Sequence, residues 1–80
     1  MTAKSRATRF SEAVGKISDG KSEIEELRDD LQNWLDNLPE NLQSSEKASQ
    51  LEEAISNLED MISGLEDVEG QDVEFPGMFG

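Results

Sequence analysis

The chain has 80 residues, with 19 Asp and Glu against 7 Lys and Arg, a net charge of −12, and no Cys or His. That length holds one domain with a small core. The missing residue types exclude disulfides, zinc sites built on thiolate or imidazole, and catalysis by His or by a Cys nucleophile. The charge is also uneven. Residues 1–21 carry Lys4, Arg6, Arg9, Lys16 and Lys21 against Glu12 and Asp19, whereas residues 22–80 carry Arg28 and Lys47 against 17 acids. Most of the surface should repel nucleic acid and anionic membranes and attract basic surfaces. The N-terminus has no apolar run suited to a signal peptide and no segment suits a bilayer span, so the expectation is a soluble, intracellular protein.

The first element in chain order is a long helix. Phe10, Ile17, Ile24, Leu31 and Leu38 recur every seven residues, and Ala13, Gly20, Leu27 and Trp34 recur every seven, three places later. Together they predict a seam sustained over four heptads, with Trp34 packed in the core. Pro39 ends it, because the residue before a proline is pushed out of helical geometry. Helix 1 is expected at about residues 8–38, continuous but weakened at Gly20, since Gly in a helix interior costs roughly 1 kcal/mol relative to Ala.

Inside this helix lies "GKISDGKS", residues 15–22, which fits the phosphate-loop pattern with Gly15, Gly20, Lys21 and Ser22 in the required places. A phosphate loop needs those glycines between a strand and a helix, so that backbone N–H groups wrap the phosphates. No strand precedes Gly15, and no later strand ends in an Asp for magnesium. The motif reads as a chance match within a helix. The expectation is no nucleotide, no cofactor and no enzymatic activity.

Residues 39–44 read as a short connection, with Ser44 or Ser45 able to cap a second helix. The repeat "LEEAISN", "LEDMISG", "LEDVEGQ" sets Leu51, Leu58 and Leu65 in one seam column and Ala54, Met61 and Val68 in the other, with Ile55 and Ile62 widening the stripe. Helix 2 is expected at about 45–68, stopping near Gly70. Two amphipathic helices on a short connection become antiparallel neighbours. The fold class is therefore all-α: an antiparallel, coiled-coil-like two-helix hairpin over residues 1–70 with an irregular tail over 71–80. One pair leaves part of each stripe uncovered, which predicts a homodimer in a four-helix arrangement. Lys4, Arg6 and Arg9 at the start of helix 1 are expected to lie beside Glu66, Asp67 and Glu69 at the end of helix 2.

Two constellations are candidate partner-binding sites. Glu52–Glu53, Glu59–Asp60 and Glu66–Asp67 recur every seven residues, about 10.5 Å along a helix, and face away from the seam. They form either a solvated face or an anionic surface that occupies a basic groove. Carboxylates on a helix without His do not enclose a metal, and a hairpin lacks the concave pocket that paired-carboxylate catalysis needs. Phe75, Met78 and Phe79 follow the acidic lead-in of Asp72 and Glu74. They either fold back over the open end of the hairpin or anchor in a partner's pocket.

The stretch "LRDDLQNWLDNLPENLQ", residues 27–43, resembles small acidic helical proteins of tailed bacteriophages. The resemblance implies a phage origin and expression in the cytoplasm of a bacterial host, and it supplies no catalytic residue. The function expected is that of a protein-interaction module. It would act as an inhibitor that mimics nucleic acid on a basic surface of a host protein, without itself binding nucleic acid or membrane. The alternative is a structural or assembly protein of the virion, held by its helical seam and its tail.

Overall fold

The computed structural model describes residues 4–76. Helix α1 spans Arg6–Asp36, and helix α2 spans Glu46–Glu69. A single turn of 3-10 helix at Glu40–Leu42 joins them. The described residues are all helical apart from turns and the tail, and the two long helices pack as a hairpin.

Local chemistry sets each boundary. Ser5 has extended geometry, and its hydroxyl accepts the Thr8 N–H at 3.1 Å, so α1 starts at Arg6. Asn37 closes the other end, its side chain donating to the Asn33 carbonyl at 2.7 Å. That cap lets Leu38 leave the helix and turn inward ahead of Pro39. Ser45 caps α2, accepting the Ala48 N–H at 3.4 Å. Gly70 ends α2 in ordinary right-handed geometry, so it stops the helix without needing the conformations peculiar to glycine.

The seam differs from the sequence expectation by one residue on each helix. Phe10, Ile17, Ile24 and Leu31 are half-buried and Leu38 is buried, as one column. The second column of α1 is Val14, Lys21, Arg28 and Leu35, not Ala13, Gly20, Leu27 and Trp34. On α2 the first column, Leu51, Leu58 and Leu65, does face inward. Its companion is Ala48, Ile55, Ile62 and Glu69, and the two isoleucines form the core rather than its margin. Leu27 (55%), Trp34 (50%), Met61 (53%) and Val68 (45%) remain exposed, against 6% for Ile55 and 5% for Ile62. The seam spacing alternates four and three on α1 and three and four on α2. That keeps a straight stripe facing the neighbour.

The core is richest at the turn. Leu38, Ala48 and Leu51 form one buried cluster with Leu31 and Leu35 packed on it. Further from the turn the seam accepts charge. Lys21 Nζ lies 2.9 Å from Glu69 Oε1, both about four-fifths covered. That oxygen is enclosed yet accepts no hydrogen bond of good geometry among the described residues, so charge holds the contact. Contact with the Glu69 carboxylate, ahead of the opposing effect of burial and the further attraction of Glu69, Glu66 and Glu25, raises the Lys21 pKa above its ordinary 10.5. At the open end Phe10 meets Phe75 with ring centroids 5.4 Å apart and planes tilted by 59°, a favourable aromatic geometry.

This register also changes the expected end-to-end charge pairing. Helix α1 has 31 residues and α2 has 24. Because both start from the turn, α2 ends beside Lys21 and α1 runs on past it. Lys4, just ahead of α1, instead pairs with Glu12 of that helix at 2.7 Å. Among the described residues no ion pair joins Lys4, Arg6 or Arg9 to Glu66, Asp67 or Glu69.

Candidate protein-interaction surfaces

Antiparallel helices place corresponding sides of their heptads together. The residues just before the second seam column are Ala13, Gly20, Leu27 and Trp34 on α1 and Lys47, Ala54, Met61 and Val68 on α2. These two sets share one flank of the hairpin. The Lys47 ammonium, 5.5 Å from the centre of the Trp34 ring, ties them across the groove. The next positions outward on α2 are Gln50, Asn57 and Gly64, all uncharged. This flank is therefore apolar over much of its length. A Cβ at Gly20 or Gly64 would meet nothing within 4 Å, so neither glycine serves packing within the hairpin.

The opposite flank is acidic. Glu52, Glu59 and Glu66 follow the Leu51–Leu58–Leu65 column by one residue, and Glu53, Asp60 and Asp67 stand beside them facing outward. All six are exposed. The ion pairs of the described residues are Lys4–Glu12, Lys21–Glu69 and Arg28–Asp29, and none uses any of the six. The α1 residues on this flank are Ser11, Ser18, Glu25 and Gln32, which bring no cation to neutralise it.

The tail is placed in part. Phe75 is half-buried against Phe10, and with Arg6 and Arg9 the two rings line a cleft of about 340 Å³ at the open end. Fold-back therefore describes Phe75. Met78 and Phe79 lie outside the described residues. Residues 15–22 lie within the uninterrupted α1, so the glycines of "GKISDGKS" form no loop, and Lys21 is engaged with Glu69. Among the described residues no group of three or more Asp or Glu is arranged to hold a metal ion. No helix there is long and apolar enough to cross a membrane.

Sequence reasoning located the acidic rows but not the apolar flank as a surface. The heptad pattern alone places its residues in the core. The available signal was the spacing of Ile55 and Ile62, which with Ala48 makes a more apolar column than Ala54, Met61 and Val68. No protein-family model, curated protein or solved structure matches the chain.

Proposed function

We propose that the chain is a non-enzymatic, acidic protein-interaction module. It occupies a basic, nucleic-acid-handling surface of a host protein and blocks it. The observation that carries this reading is the outer side of α2: six exposed carboxylates in three rows, with no cation paired to them among the described residues. From Glu52 to Asp67 they average about one charge per 4 Å of helix, using a rise of about 1.5 Å per residue. One strand of DNA carries a phosphate about every 3.4 Å. The row therefore offers a basic groove a charge density close to that of a single nucleic-acid strand. The phage-like stretch at residues 27–43 supports a bacterial host as the setting, with the protein in the host cytoplasm.

Capture from a bacterial lysate, followed by competition, tests this. The captured protein should be a nucleic-acid-binding protein, released by added DNA or RNA and by salt, since the Debye length falls from about 10 Å at 0.1 M to about 3 Å at 1 M. Capture that survives both treatments overturns the reading. The module acts as a dimer, because the hairpin alone leaves the apolar flank uncovered. That same flank favours the second reading, a structural or assembly protein of the virion, for which recovery from purified particles is the test.

A further inference from the structure

The hairpin exposes far more surface than a folded chain of its mass. Its accessible area is 6477 Å² at 8.9 kDa. The scaling for folded monomers gives about 4,800 Å² at that mass. The excess, about 1,700 Å², is roughly twice the 800 Å² that one partner contributes to a standard interface. The cause is shape: the molecule measures 67 × 24 × 13 Å, two helices wide and one helix deep.

Three facts say what covers it. The large exposed apolar residues of α1 and α2, Leu27, Trp34, Met61 and Val68, all lie on one flank, as the heptad positions require. The outer edge of that flank on α1 carries Arg9 and Lys16 followed by Glu23 and Asp30, all exposed and seven apart. Read against its own reverse, this row is complementary: Arg9 meets Asp30 and Lys16 meets Glu23. The midpoint of both pairings falls beside Gly20, where there is open space for an approaching helix.

We propose that the apolar flank is covered by a second copy of this chain, packed antiparallel about a two-fold axis beside Gly20. In that arrangement Leu27 lies over Ala13 of the second copy, and Trp34 approaches the basic N-terminal turn of the other α1. A parallel arrangement would set the charged row against the uncharged Gln50, Asn57 and Gly64 and gain nothing from it. Apolar burial supplies the affinity, and the exposed charge pairs set the direction. The acidic rows of α2 stay outside, so the dimer presents two of them. This inference rests on the dimeric module proposed above, and it names the face and the orientation.

Sedimentation velocity over a range of concentrations, with circular dichroism on each variant, tests it. Gly20→Gln improves helix propensity, and a Cβ at that position meets nothing within 4 Å in one hairpin. It should leave the chain folded yet raise the dimer dissociation constant by tenfold or more. Lys16→Glu should weaken the dimer several-fold, and Lys16→Glu with Glu23→Lys should restore it. A wild type that is monomeric at every concentration overturns dimerisation itself. A dimer unaffected by Gly20→Gln overturns the face while leaving dimerisation standing. A double variant that remains as weak as Lys16→Glu overturns the antiparallel direction.

Discussion

On α2, Glu59 and Met61 stand two residues apart and look out from opposite flanks, one acidic and one apolar. The acidic flank tolerates water. Its carboxylates are hydrated, cost little when left unpaired, and become useful only when a basic surface arrives. The apolar flank gains by leaving water, by about 25 cal/mol for each Å² covered. Between them runs the seam, which decides which residues fall on which side. A shift of one residue in that seam would move Ile62 to the surface and Met61 to the core. The two flanks therefore depend on register, and register depends on the buried residues Ala48, Leu51, Ile55 and Ile62.

Seam substitutions should have the largest effect. Ile55→Ala and Ile62→Ala remove buried volume and should each cost about 2–5 kcal/mol. A hairpin of this size has only about 3–5 kcal/mol to lose. Met61→Ala, one position away, should change the stability of the hairpin by less than about 0.5 kcal/mol. Urea titrations of dilute protein, read by circular dichroism, measure the difference. Equal losses at positions 61 and 62 would erase the distinction between seam and flank.

Neutralising the acidic flank comes next. Glu52, Glu59 and Glu66 changed together to Gln should leave the helix content intact. The on-rate for a basic partner should fall about tenfold at low salt and differ little from wild type at 1 M, because steering acts through the unscreened field. Surface plasmon resonance at several ionic strengths checks this. An unchanged on-rate makes the flank a solvated face and nothing more.

A smaller effect sits where the two regions meet, at Lys21 and Glu69. Lys21 stands in the seam and its contact with Glu69 contributes to folding. Lys21→Met strands an enclosed carboxylate and should lower the thermal midpoint. Lys21→Met with Glu69→Met should recover it, as replacing a covered ion pair by apolar groups commonly does. The pH dependence has a definite sign. The folded Lys21 pKa is raised, so the pair's contribution is fully present below the ordinary 10.5 and is lost as pH rises through the folded value. Thermal melts should be flat in this respect from neutral pH to about 10 and fall above it. A modest gain is expected from Gly15→Ala, which adds a methyl where nothing lies within 4 Å. It should stabilise α1 by about 1 kcal/mol without changing self-association.

How much of this could be read from the sequence follows from the same chemistry. Leu51, Leu58 and Leu65, and Ile24 and Leu31, declared the first columns because nothing polar shares their period. The start of α2 was legible because Ser45 acts locally, whereas the caps of α1, Ser5 and Asn37, were not. The acidic rows were legible because an exposed charge needs no partner to stay where the helix puts it. The second columns were not. On α1 the true column carries Lys21 and Arg28, which look like surface residues, while Leu27 and Trp34 on the neighbouring column look like core. Only packing against α2, with Glu69 meeting Lys21, separates the two. Phe75 belongs to a tail without helical period, so its contact left no pattern in the sequence.

The most direct test of the register exploits the absence of cysteine from the chain. Single variants Glu59→Cys, Met61→Cys and Ile62→Cys place one thiol on the acidic flank, on the apolar flank and in the seam. Their modification rates with a small thiol reagent would be followed from dilute to concentrated protein. The two-flank account predicts that Ile62→Cys is protected throughout and Glu59→Cys reacts fast throughout. Met61→Cys should react fast when dilute and slow as copies pair. Protection at position 61 with rapid reaction at position 62 in dilute protein would contradict the register and, with it, the division of the hairpin into two flanks.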